Sequence, residues 1–136
     1  MKKLSLFILS IISVVAMMSS CAQRTPEEKM EKAIAHANKE CPMDLGNGMS
    51  LASVTEEENN IVYSFEINEE TLGKSVKTFN RPEVKNTMRK SLIANFLSED
   101  NKLIKLCKEL NYNFIIRFVG KPSEEVAEIT VNADEL

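Results

Sequence analysis

The groups able to do chemistry are few and scattered, for the chain holds one histidine, three cysteines and twenty acidic side chains among 136 residues. His36 sits between Ala33, Ala35 and Ala37 on a helical stretch. A general base or metal ligand would need a set of partners that the sequence spacing does not show, so it reads as a surface or boundary histidine. Glu56-Glu57-Glu58 and Glu124-Glu125 fall at expected hairpin turns, where charge is ordinarily solvated. Asp44 and Asn47 offer oxygen ligands but lack the spacing of a calcium loop. Paired-histidine zinc motifs, a glycine-rich phosphate loop and a Gly-x-Ser-x-Gly elbow are all missing, and four glycines leave little material for an anion cradle. The sequence therefore points to no catalytic residue, no metal and no cofactor.

The cysteines carry more. Lys2 and Lys3 precede an apolar run from Leu4 to Met18, broken only by serines, and small Ser19 and Ser20 lead to Cys21. The run is shorter than the roughly 20 apolar residues of a spanning helix and fits a secretory signal over 1–20. Met18-Ser19-Ser20-Cys21 resembles the lipobox of bacterial lipoproteins. That resemblance implies cleavage before Cys21, a diacylglyceryl thioether on its sulfur, and residues 21–24 as a short lipidated tether. Two or three acyl chains, at roughly 0.8 kcal/mol per buried methylene, anchor a protein firmly. The expected address is a membrane surface, reached through acylated Cys21. Ala22 after the cysteine implies the outer membrane, with the domain facing the periplasm or the cell surface.

Cys41 and Cys107 remain, an even number in a compartment that permits disulfides. Both fall on the apolar stripes of expected helices. Either they form a bridge, if their Cα atoms approach within about 7 Å, or they are two buried thiols acting as small apolar residues.

These groups must be positioned by one domain, residues 25–136, since the length leaves no room for a second. Without Lys2 and Lys3 the fifteen remaining cations face twenty acids, a net charge of -5. No basic stripe of the kind that displaces counterions from phosphates stands out, which argues against a nucleic-acid partner. Thr25-Pro26-Glu27-Glu28 is a helix start with an N-cap and a proline at the first position, and Met30, Ala33, Ile34, Ala37 and Cys41 give its inner stripe up to Pro42. Alternation over 49–56 and 61–68 predicts a hairpin whose second strand turns Ile61, Tyr63, Phe65 and Ile67 to one side. Asn80-Arg81-Pro82-Glu83 opens a helix carrying Val84, Met88, Leu92, Ile93 and Phe96. Ser98-Glu99-Asp100 opens a shorter one carrying Leu103, Leu106, Cys107 and Leu110. Tyr112, Phe114, Ile116 and Phe118 alternate before a turn at Gly120-Lys121-Pro122-Ser123 and a last strand over 126–132.

The expected architecture is α+β in the order α-β-β-α-α-β-β, a four-stranded antiparallel sheet with its helices packed on the aromatic face. The other face would carry Val54, Val62, Ile115, Arg117, Val119 and Thr130, with Ala52 and Val126. A mixed face of this kind is either simply solvated or a partner-binding or dimerisation surface. Asn38-Lys39-Glu40-Cys41-Pro42-Met43-Asp44-Leu45, then Met49-Ser50-Leu51 and Val62-Tyr63-Ser64-Phe65, resemble a group of small lipoproteins of Bacteroidales type. The resemblance implies an envelope lipoprotein with an α+β domain and brings no catalytic residues. The expected function is a non-enzymatic binding or accessory module for a protein partner or small ligand, of open oligomeric state. The alternative is a small envelope hydrolase or metal-dependent enzyme, which would show as a site where His36, Asp44 or several acids converge.

Overall fold

The computed structural model describes residues 25–98 and 102–136. The signal-type segment, Cys21, the tether through Arg24 and the expected helix start at Glu99 and Asp100 lie outside the described residues, as does the side chain of Phe96.

Helix α1 spans Pro26–Lys39. Thr25 caps it, its hydroxyl accepting from the Glu28 N–H at 3.3 Å, and Pro26 fills the first position, where no N–H is needed. Met30, Ala33 and Ala37 are the buried side. Small residues on that stripe let the helix lie close to the sheet.

Three strands follow: β1, Met43–Gly46; β2, Met49–Glu57; and β3, Asn60–Asn68. Gly46, Asn47 and Gly48 all have positive φ, so the chain reverses here through a conformation that glycine adopts freely and asparagine tolerates. Beyond β3 come a single helical turn α2 (Glu69–Leu72), a 3-10 segment (Val76–Asn80), and helices α3 (Pro82–Ser98) and α4 (Lys102–Leu110). Strands β4 (Asn113–Lys121) and β5 (Val126–Val131) and a terminal 3-10 turn (Ala133–Glu135) complete the chain. Among the described residues no helix is long and apolar enough to cross a membrane.

The class is α+β, as expected, but the sheet has five strands in the order β1-β2-β3-β4-β5 and is mixed. Two corrections follow. Met43–Gly46, which is not among the four expected strands, is a short edge strand that pairs Met43 with Leu51 and Asp44 with Ser50. And β3 and β4 run parallel, from Asn60 beside Asn113 to Asn68 beside Lys121. The cause is the connection: residues 69–112 carry the chain back over one face, so β4 enters from the same end as β3 did. An antiparallel sheet would have needed these strands to meet through a hairpin.

The core lies between the sheet and the helices. Ile61, Tyr63, Phe65 and Ile67 of β3 and Phe114, Ile116 and Phe118 of β4 are all 1 % exposed or less. Tyr63 stacks on Phe114 with ring centroids 4.9 Å apart, and Phe79 of the 3-10 segment tilts onto Phe118 at 5.2 Å. Met88 and Leu92 of α3, Leu103 and Cys107 of α4, and Met30 of α1 close the layer from above. Burying one such side chain contributes about 1.5 to 3 kcal/mol, which is why α3 and α4 hold to the sheet.

At the end of the sheet where β3 finishes, Glu69 ties three segments together. Its carboxylate accepts from the Val76 N–H at 2.8 Å and from the Ser123 N–H at 3.1 Å. The Ser123 hydroxyl above all, then these two N–H bonds and the Ser75 hydroxyl, hold its pKa down to about 2. Gly120 passes directly beneath, and a Cβ there would lie 2.8 Å from the Glu69 carboxyl carbon.

Candidate functional site

The helices all lie against one face of the sheet, which leaves the other as the surface a partner would meet. Its geometry is set by register. Val119 stands opposite Val126 on β5 and beside Glu66 on β3; Arg117 stands opposite Glu128 and beside Ser64; Ile115 stands opposite Thr130 and beside Val62, whose other neighbour is Thr55. The face is thus a set of rungs, in which apolar rows at Val119 and Ile115 alternate with a charged row at Arg117.

Arg117 is the centre of this face. Its Nε donates to the Glu128 carboxylate, and its two terminal nitrogens reach Glu57 at 3.2 and 3.3 Å. Glu57 sits on β2 at the level of Asn60, whereas Arg117 sits at the level of Ser64. The ion pair therefore crosses β3 diagonally, over Val62. That accounts for Val62 being fully buried although it points away from the helices. The guanidinium, bonded by two carboxylates, has its pKa raised, and the hydrogen bond from Arg117 lowers that of Glu57. With both carboxylates attached, Arg117 offers no free positive charge to a ligand. Its aliphatic stem and planar head serve as a lid for the valine.

Of the six residues expected on this surface, Ile115, Arg117, Val119 and Thr130 are there and accessible to differing degrees. Val62 is on the face but covered. Val54 is not on it: it is 1 % exposed and part of the core opposite Tyr63. The reason is a bulge in β2. Leu51 pairs with Phe65 but Ser53 pairs with Ser64, so Ala52 is an extra residue and every side chain after it changes sides. Strict alternation from Leu51 would put Val54 outside; one inserted residue turns it in. The same shift brings Ser53, Thr55 and Glu57 outward. Sequence reading missed Glu57 and Glu128 as the partners of Arg117, though Glu128 could have been found by counting back from Thr130.

Beyond the bulge β1 no longer accompanies β2, and α1 takes its place. The Asn38 side-chain amide donates to the Val54 carbonyl, while its oxygen accepts from the Val54 N–H at 2.9 Å. One asparagine thus supplies the two bonds a neighbouring strand would have made.

The remaining candidates do not converge. His36 is exposed on the outer side of α1. Asp44 accepts from the Gly46 N–H at 2.9 Å within its own turn. Glu56 accepts from the Tyr112 hydroxyl, and Glu58 is exposed at the β2–β3 turn. No group of three histidine, cysteine or acidic residues is placed to hold a metal among the described residues. Cys41 and Cys107 are both free thiols. Cys41 donates to the Ala37 carbonyl at 3.2 Å, and burial pushes the Cys107 thiol up to about 12. Both lie near enough to the buried Tyr63 hydroxyl to add to the rise in its pKa that burial causes.

The fold, a five-stranded mixed sheet with its helices on one side, has counterparts of similar shape among solved bacterial proteins. No protein-family model matches the chain, and no curated protein matches it in sequence. Solved structures do match in shape. A protein of Pseudomonas aeruginosa described as secreted superposes with a TM-score of 0.63 at 11 % identity, over 81 % of this chain and 91 % of that one. The type 2 secretion system pilotin EpsS of Vibrio vulnificus gives 0.57 at 10 % identity, over 81 % and 90 %. The type II secretion system pilotin AspS of Vibrio cholerae gives 0.51 at 14 %, over 84 % and 94 %. At these identities the likeness is one of fold.

Proposed function

We propose that this protein is a lipid-anchored accessory module of the bacterial cell envelope, which binds a protein partner and catalyses no reaction of its own. The observation that carries the reading is the sheet face left uncovered by the helices, with Ile115, Val119 and Val126 around a neutralised arginine. Apolar rows set among hydroxyls and a satisfied ion pair suit a protein surface, since nothing charged must be stripped of water without compensation. Two structures of like fold are pilotins of a secretion system, which agrees with an accessory part in an envelope assembly. The lipid on Cys21, the outer-membrane address and the kinship with small Bacteroidales lipoproteins belong to the same proposal. They rest on the order of residues around Cys21 and on the Asn38-to-Leu45 stretch.

Photo-crosslinking residues placed at Ile115 and Val119, in cells making the full chain, test it. A discrete adduct from both positions and none from position 36 is expected. Adducts from position 36 alone would overturn the assignment of the face. For the anchor, Cys21→Ser should move the chain from the membrane pellet to the soluble fraction, and pelleting unchanged would refute lipidation.

A further inference from the structure

The segment from residue 74 to residue 90 carries six cations, Lys74, Lys77, Arg81, Lys85, Arg89 and Lys90, and one acid, Glu83. Over the rest of residues 21–136, nine cations face nineteen acids. Among the described residues only Arg89 of these six is ion-paired, with Glu135, so five positive charges stand together with a single acid, Glu83, among them. Lys74, Lys77, Arg81 and Lys90 are exposed and Lys85 is half-buried.

Two side-chain bonds fix where this ridge lies. Asn80 donates to the Val126 carbonyl at 3.0 Å and Arg89 to the Thr130 carbonyl at 3.3 Å. Nine residues of helix and four of strand both span about 13 Å, so the start of α3 runs alongside the outer edge of β5. Lys85 and Arg89 stand one turn apart on one face of α3, and the Lys85 N–H bonds the carbonyl of Arg81, which stands just ahead of the helix. Beside them is Val126, 47 % exposed and the one large apolar residue so exposed among the described residues.

We infer that the ridge of Lys77, Arg81 and Lys85, with Val126 at its side, is a docking surface for an acidic polypeptide segment that carries an aliphatic residue. Unpaired cations attract the acids, and Val126 supplies an apolar contact that a bare phosphate would not use. A lipid surface fits less well. The amino end of α1 lies near Glu56 and Tyr112, because the Glu27 charge reaches the Tyr112 hydroxyl. The start of the ridge, beside Val126, is at the opposite end of strands about 30 Å long. The inference deepens the partner-binding reading by giving the partner a charge; its cations lie along the edge of β5, away from Ile115, and it shares with the uncovered face only Val126, opposite Val119.

The test uses the full chain in non-ionic detergent and a fluorescein-labelled Asp-Glu-Leu repeat peptide, followed by anisotropy. Binding that weakens with salt, and weakens about tenfold or more in Lys77→Glu/Arg81→Glu/Lys85→Glu, is expected. The milder Lys77→Gln/Arg81→Gln/Lys85→Gln variant should lose part of it, which covers the case of a triple reversal that folds poorly. Arg117→Gln, on the uncovered face, should bind as the unaltered chain does. Equal binding by all variants, or binding to phosphatidylglycerol vesicles but not to the peptide, would overturn the inference. So would self-association that disappears with the cations while the peptide stays free. None of these results touches the crosslinks from Ile115 and Val119, so the two readings fail separately.

Discussion

Replacing Asn38 by alanine removes both bonds to the Val54 backbone at the point where β1 gives way to α1. Each is worth about 1 kcal/mol net, with a further penalty because the freed N–H and C=O are half-shielded from water. Alanine recovers roughly 0.5 kcal/mol through its better helix propensity near the end of α1. The balance is a loss of about 2 kcal/mol. With a urea slope of about 1.5 kcal/mol per molar, the midpoint should fall by roughly 1.3 M at constant slope. The melting temperature should fall by about 8 °C. Hydrogen exchange gives the local signature: the Val54 amide should lose protection while Leu51, within the β1–β2 pairing, keeps its own. Asn38→Asp serves as the control. It retains an acceptor for the Val54 N–H but sets a carboxylate against the Val54 carbonyl, so it should be no better than alanine. A midpoint shift below about 0.3 M, or an aspartate variant as stable as the unaltered chain, would refute the idea that this side chain stands in for a strand.

Glu69, held down to about 2 from 4.5, contributes stability that is present above pH 4.5 and lost as pH falls towards 2. The stability gap between the unaltered chain and Glu69→Gln should therefore close over that window, and a gap that stays constant down to pH 2 would contradict it. Gly120→Ala should cost about 1 to 3 kcal/mol in chemical denaturation, because the carboxylate its Cβ would strike is fixed by several donors. Adding Glu69→Ala should relieve part of that cost, and strict additivity would count against the clash. Cys107, buried and with its thiol pushed up to about 12, should resist iodoacetamide at pH 8 in the native protein and react fully in denaturant. Native labelling as fast as that of a free thiol would show the helix layer to be open.

Local signals located most elements. Thr25 and Pro26 marked the start of α1, Pro82 that of α3, and period-two alternation found β3 and β4, because each depends on neighbours a few residues away. What escaped depends on distant partners. Met43-Asp44-Leu45-Gly46 is too short to show a period and becomes a strand only because β2 is beside it. The parallel meeting of β3 and β4 is decided by the helical layer between them. Ala52 gives no sign in sequence of being a bulge, and that one unseen residue sent Val54 to the wrong side. For the candidate face, alternation sufficed on β4 and β5, where no bulge intervenes. The diagonal pairing of Arg117 with Glu57, sixty positions apart, could not be read without the fold.

The parallel pairing also dictates the order in which a newly made chain can be completed. The meander β1-β2-β3 is finished at Asn68, but the far edge of β3, rich in Ile, Val, Tyr and Phe, waits for a strand that begins at Asn113. In that interval it is a bare template for another copy. Closure comes late, since Val131, Ala133 and Leu136 are all buried. A chain that stops before Val131 leaves β4 without β5 and should therefore be lost to aggregates.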